Sequence, residues 1–142
     1  MSEAARQTMA EGGCVSGDDQ GAIAAARAVL DRHFAALNAG DAVALADTLH
    51  FPHYRLAGTR MQVWQRPDSY LKDFHARAGD GWHHSAWNYC NPIAASSDKV
   101  HFDTQFTRYR ADGSVLGRYR SIWVIARIDG RWAAQLRSSF AA

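Results

Sequence analysis

The sequence predicts an α+β fold, with helices in its first half and an antiparallel meander in its last third. Three observations predict it. The runs Val100 to Ala111, Val115 to Ile128 and Trp132 to Phe140 are joined by Asp112-Gly113 and Asp129-Gly130. Asp-Gly between strand-like runs signals a hairpin, because both central residues of a type I′ turn take positive φ. Upstream, Ile23, Ala26, Leu30, Phe34 and Leu37 recur at helical spacing, with Arg27, Asp31 and Arg32 off that face. Finally, 142 residues with 47% hydrophobic and 21% charged content are enough for one domain with a core of its own.

The elements follow in order. Residues 1–20 are rich in Gly, Ser, Glu and Asp and bury too little to offset ordering, so a disordered tail is expected, leaving 21–142 as a single domain. Ile23 to Leu37 is the first helix, stopped by Asn38-Ala39-Gly40, and Asp41 caps a short second helix, Ala42 to Leu49. Phe51-Pro52 ends that helix, since a residue before proline is pushed out of the α region. His53 to Leu56 and Arg60 to Trp64 read as short strands around Gly58. Pro67 and Asp68 open a third helix whose apolar side is Tyr70, Leu71, Phe74 and Ala78.

Trp82 to Ala95 is the first long strand, bent at Asn91-Pro92 because proline cannot donate to a ladder. On the next, Val100, Phe102, Thr104 and Phe106 share a face. On the last, Trp132, Ala134, Leu136, Ser138 and Phe140 form the core-like set, opposite Arg131, Ala133, Gln135, Arg137 and Ser139. Three helices and then long, bent strands is the order of a cone-shaped barrel, with N-terminal helices packed on a strongly curved antiparallel sheet. The strand between the turns is apolar on both sides, Ile122, Val124, Ala126 and Ile128 against Trp123 and Ile125. Such a strand is covered on both faces. Helices cover one, so a second copy is expected on the outer sheet face, giving a homodimer.

Several function classes are excluded or disfavoured. No apolar stretch reaches membrane-spanning length, and the N-terminus lacks the features of a secretory signal, so a cytoplasmic protein without a membrane partner is expected. Cys14 and Cys90 are too few for a disulfide framework and are expected to be free thiols. A net charge of +2 is too small to argue for nucleic acid. Cations gather near the hairpin, however: Lys99, Arg108, Arg110, Arg118, Arg120, Arg127, Arg131 and Arg137 against Asp103, Asp112 and Asp129. They are solvated hairpin arms, a phosphate or carboxylate site, or an interaction surface for an acidic partner. There is no phosphate-binding Gly-rich loop, nucleophile elbow or dinucleotide fingerprint, so no cofactor is expected.

Two segments carry a resemblance. Phe34-Ala35-Ala36-Leu37-Asn38-Ala39-Gly40-Asp41 resembles the helix and N-x-G-D opening of the nuclear transport factor two-like superfamily, which includes SnoaL-like cyclases and ketosteroid isomerases. Asp129-Gly130-Arg131-Trp132 is similar to that superfamily's D-G-x-W hairpin before the last strand. The resemblance spans Ala22 to Phe140. It implies a sheet wrapped on helices around a deep apolar pocket, and dimers on the outer face. It does not name a reaction, because the scaffold hosts isomerases, cyclases, dehydratases, hydrolases and pure binding modules.

The expected function is binding of a small, mostly apolar ligand, with an acidic group a further option. The alternative is a cofactor-free isomerase, cyclase or dehydratase. Ketosteroid isomerase chemistry needs a carboxylate base, and relatives often place an Asp just after the second helix, whereas this chain has His50-Phe51-Pro52-His53-Tyr54-Arg55. A histidine base, His53 or His84, takes its place in that alternative. His83 and His84 should point to opposite sides of a strand, which argues against a shared metal and leaves open which one faces the pocket. Trp64, Tyr70, Trp87, Tyr119 and Trp123 supply aromatic wall. Arg137, mid-strand, either pairs across an interface or enters the pocket to hold a carboxylate.

Overall fold

The structure, a computed structural model, describes residues 12–78 and 81–141. The fold is α+β: one long helix, two shorter ones and a six-stranded mixed sheet. Helix α1 spans Gln20–Ala39 and α2 spans Ala42–Asp47; strands β1 (Leu49–Ala57) and β2 (Arg60–Trp64) precede α3 (Pro67–Ala78). The meander is β3 (His84–Ala95), β4 (Lys99–Tyr109), β5 (Val115–Ile128) and β6 (Arg131–Ser139).

Helix α1 buries Ile23, Ala26, Leu30, Phe34 and Leu37, with Val29, His33 and Ala36 widening the stripe. Gly40 (φ 66°) ends it: its N–H reaches Leu37 O and the Asp41 N–H reaches Ala36 O, the double closure of a Schellman motif. Asp41 then caps α2 by accepting from the Ala44 N–H at 3.1 Å. Of the expected tail, residues 1–11 lie outside the described residues. Gly13 O accepts from Ala95 N–H, and Gly17–Asp19 forms a 3₁₀ turn leading into α1.

Strand order is β2-β1-β6-β5-β4-β3, so β2 and β3 are the two edges and the sheet is open. Two expectations are thereby corrected. The sheet is not a strongly curled, closed cone, and it is mixed rather than antiparallel, because β1 runs parallel to β6. Strand β1 also begins earlier than expected. Helix α2 stops at Asp47 and Pro52 lies inside the strand, where the β1/β6 register breaks between Leu49 and Tyr54. That break spares the ladder the N–H that proline lacks.

The two Asp-Gly turns differ. Asp129 (φ 52°) and Gly130 (φ 78°) are both left-handed, as a type I′ turn requires. At Asp112-Gly113 only Gly113 is left-handed (φ 86°). There Gly113 N–H bonds Arg110 O, and the Asp112 carboxylate accepts from the Ser114 N–H and hydroxyl, a three-residue loop of the type I plus bulge kind.

The core lies between α1 and the inner sheet face, where Val29, Leu30, Leu49, Val100, Phe102 and Ile125 are fully buried. One register shift decides which β6 residues join it. Ile125 pairs Ala134, but Val124 pairs Leu136, leaving Gln135 as an extra residue. Beyond this bulge the faces swap. Arg137 and Ser139 are buried inside, while Leu136 and Phe140 lie on the outside at 39% and 79% exposure. The expected core-like set of β6 is therefore corrected for its second half.

Candidate functional site

Between α1 and the inner face of the sheet sits a cavity of about 60 Å³. Its wall from α1 is His33, Phe34 and Leu37; the sheet supplies Arg55, Ser85, Phe106, Arg108, Ser121, Trp123, Arg137 and Ser139; Tyr70 and Trp82 complete it. At about 10–15 Å³ per water centre, this admits roughly four to six waters, or one compact organic molecule. A steroid-sized ligand does not fit.

Charge sets this cavity apart. Three guanidinium groups line it, and among the described residues no carboxylate does. Arg137 is 7% exposed. Its guanidinium lies 4.6 Å over the Trp123 ring and 5.7 Å from the Tyr70 ring centre, and its Nη2 donates to the Tyr70 hydroxyl at 3.2 Å. Its Nη1 is buried without a hydrogen-bond partner among the described residues. Arg55, its neighbour in the parallel register, donates to Ala141 O at 2.7 Å and Gln62 Oε1 at 3.2 Å. Arg108 lies over the Tyr119 ring at 5.1 Å. Burial pushes the Arg108 guanidinium below its ordinary range, Tyr119 opposes that shift, and the Arg137 charge adds to it. Both arginines nevertheless stay charged in any folded protein near neutral pH.

The wall is held by hydrogen bonds. Trp123 Nε1 donates to Ser121 Oγ at 3.1 Å, and Ser121 Oγ is 2.7 Å from Thr104 Oγ1. On α1, His33 Nδ1 is 2.7 Å from Thr48 Oγ1, whose hydroxyl donates to Leu45 O at 2.7 Å. The end of α1 is clamped to β3 by Asn38, which accepts from the Ser85 N–H and donates to Ser85 O, both at 2.8 Å.

Of the residues expected from sequence, Tyr70, Trp123 and Arg137 line the cavity. His53 does not; it is fully buried, its Nδ1 donates to Ala134 O at 3.1 Å, and its ring packs with Trp64 and Tyr70. Trp64 donates to Asp73 at 3.0 Å, away from the cavity wall. Trp87 stacks on Phe34 at 3.9 Å and donates to Leu30 O, as core rather than wall. Tyr119 stands behind Arg108. His84 stacks on Tyr109 at 4.8 Å, off the cavity. The expectation that His83 and His84 diverge is corrected: their Nδ1 atoms are 3.0 Å apart, because β3 starts only at His84 and His83 is not bound by strand alternation. Among the described residues no three His, Cys, Asp or Glu side chains gather into a metal-binding group.

His33, Arg55 and Arg108 were not singled out as pocket residues by the sequence. His33 had a signal, since it follows Val29 and Leu30 by four and three positions on the apolar stripe of α1. Arg108 read as part of a basic hairpin. That cluster is dispersed in the structure: Arg120 and Arg127 pair with Asp103 and Asp98, Arg131 with Asp47, and Arg110 donates to Val115 O.

No protein-family model matches the sequence, and no curated protein matches it. Solved structures do match, and they share the NTF2-like, cystatin-like fold. A protein of unknown function with a cystatin-like fold from Nostoc punctiforme matches with a TM-score of 0.69 at 13% identity, over 89% of this chain and 92% of its own. An NTF2-like protein from Novosphingobium aromaticivorans gives 0.65 at 18%, over 86% and 80%. A ketosteroid isomerase-like protein from Erwinia carotovora atroseptica gives 0.62 at 16%, over 82% and 92%. At these identities the likeness establishes the fold and nothing about the ligand. Among the described residues no helix is long and apolar enough to cross a membrane.

Proposed function

We propose that the protein binds a compact organic acid in the α1–sheet cavity. One observation carries this reading: Arg137 is buried, charged and lines the cavity, with Nη1 unpaired among the described residues. An uncompensated buried charge costs several kcal/mol, and the folded chain tolerates it next to Arg108 with no carboxylate in the wall among the described residues. A ligand carboxylate removes that cost on binding, and the planar guanidinium suits it. Phe34, Phe106 and Trp123 supply apolar wall for a short carbon skeleton. The expected ligand is thus smaller and more strongly acidic in character than a mostly apolar one. An interaction surface built on the basic hairpin is less well supported, because its arginines are engaged within the fold.

The test compares 2-oxobutanoate with the neutral ketone 2-butanone, by calorimetry and thermal shift. The acid should bind and raise the melting temperature, and the ketone should not. Arg137→Gln should weaken binding about 10- to 150-fold, the worth of a hydrogen bond to a charged group (~1.5–3 kcal/mol). Equal binding of both probes, or no loss in Arg137→Gln, refutes the reading.

The assembly reading is a second copy of this chain on the outer sheet face. Ile93, Ile122, Leu136 and Phe140 are exposed there, around a shallow depression that also includes Asp103 and Arg120.

A further inference from the structure

We infer that the cavity selects a short dicarboxylate over a monoacid, holding one carboxylate on Arg137 and the other on Arg108. The inference rests on the organic-acid reading above and names the ligand class within it.

A monoacid leaves the charge of the wall unbalanced. Arg137 and Arg108 both line the cavity, and among the described residues no carboxylate joins them there. Arg137 is 7% exposed and keeps Nη1 without a partner among the described residues. Arg108 lies over the Phe106 and Tyr119 rings, 5.7 Å and 5.1 Å from their centres. Burial is the main cause that lowers its guanidinium, and the Arg137 charge adds to it, so the two cations are close enough to repel one another. A single carboxylate on Arg137 offsets one of them. Two carboxylates on one ligand offset both and relieve the repulsion between them.

The strand register sets the two cations on either side of a row of hydroxyls. The Arg137 guanidinium sits 4.6 Å over the ring of Trp123, its partner across β5 and β6. The next row on the same face is Ser121 with Ser139, and the one after it is Tyr119 with Phe106, over which Arg108 lies. Successive rows on one face are about 7 Å apart, a spacing that long arginine side chains reach across from both sides. Between them, Ser139 Oγ accepts from the Ala141 N–H at 3.1 Å, which leaves the Ser139 proton to donate to a ligand. Two guanidinium forks with a hydroxyl between them match a molecule with a carboxylate at each end of a short spacer. The cavity volume, about 60 Å³, keeps that spacer short.

The experiment uses the full chain at pH 8 and calorimetry with malonate, its half-amide malonamate and 2-oxobutanoate, probes of the same size. Malonate and malonamate share one shape and differ by one charge. Malonate should bind at least ~10-fold more tightly than either of the others, the low end for a hydrogen bond to a charged group. Arg108→Gln should bring malonate down to the affinity of malonamate while 2-oxobutanoate stays bound, and Arg108→Lys, which keeps the charge, should retain a preference for malonate. The comparison of malonate with malonamate is made on the unmutated protein, so it decides without relying on any variant folding. Equal affinity for those two, with Arg137-dependent binding of 2-oxobutanoate, overturns this inference and leaves the organic-acid reading standing. A malonate preference that persists in folded Arg108→Gln also overturns it, because the second anchor is then another group. So does sulfate that binds as tightly as malonate, since a single compact dianion does not need two separated anchors. Absence of binding by all the acids removes the organic-acid reading, and this inference with it.

Discussion

At the scale of single residues, burial bears differently on Arg137 and on Cys90. Arg137 is buried at a cost the apo fold bears, so Arg137→Gln should melt no lower than wild type without ligand, although it binds the acid poorly. A drop of several degrees would mean that the guanidinium is structural. Cys90 is the opposite case. Burial, partly offset by Arg27 and reinforced by Asp31, pushes its thiol up to about 12. Thiolate is the reactive form, so Cys90 should stay unmodified by a thiol reagent at pH 8 while exposed Cys14 reacts. One thiol per chain should titrate in buffer and two in denaturant; two fast thiols in the native state would contradict the burial of Cys90. This scale was the least legible in the sequence. Tyr70, Trp123 and Arg137 could be named from type and position, but His53 and Trp64 were drawn into an aromatic cluster behind the cavity. His33 is not named by the sequence reading, because a helix stripe does not reveal where the opposing sheet leaves a gap.

At the scale of elements, local signals are legible in the sequence and long-range pairing is not. The ends of β5, the Pro67 start of α3 and the Asn38–Asp41 corner follow from turn, cap and proline chemistry, which acts over a few residues. The parallel β1/β6 pairing joins Leu49 to Ala134 and Ala57 to Ser139, and no local pattern encodes it. The Gln135 bulge is similarly silent, yet it turns Arg137 inward by reversing the alternation read from Trp132 onward. Asn38 links the two levels. It is part of the helix stop, and its amide also makes both hydrogen bonds of a strand partner to Ser85. Asn38→Ala leaves a buried backbone pair unmatched, so unfolding free energy should fall by about 1–3 kcal/mol, measured by urea denaturation. A loss below ~0.5 kcal/mol would mean that water replaces the amide and that the clamp is not needed to hold α1 over the cavity.

At the scale of the whole molecule, the sheet has one face too many. Its inner face is filled by α1 and the cavity, and its outer face exposes Ile122 at 45%, Ile93 at 53%, Leu136 at 39% and Phe140 at 79%. Isolated exposed apolar residues are ordinary, but a cluster rimmed by polar groups marks an interaction site. Here the rim is the Arg120–Asp103 pair, in which Arg120 Nη2 donates to both carboxylate oxygens at 2.8 Å. An apolar strip whose flanking charges are already paired within the chain can be covered by a second copy without burying an unpaired charge. The apolar second side of β5, already visible in the sequence, acquires a physical purpose in that arrangement. Light scattering after size exclusion should give twice the chain mass at about 10 µM. Ile122→Glu places a charge at the centre of the strip, on a side chain that the monomer leaves half exposed, so it should give a folded monomer with an unchanged circular dichroism spectrum. A wild-type chain that elutes as a monomer at that concentration, or an Ile122→Glu variant that remains a dimer, would move the interface off this face. The cavity lies on the opposite side of the sheet, so the Ile122→Glu monomer should still bind 2-oxobutanoate with wild-type affinity if each copy's site is complete in itself.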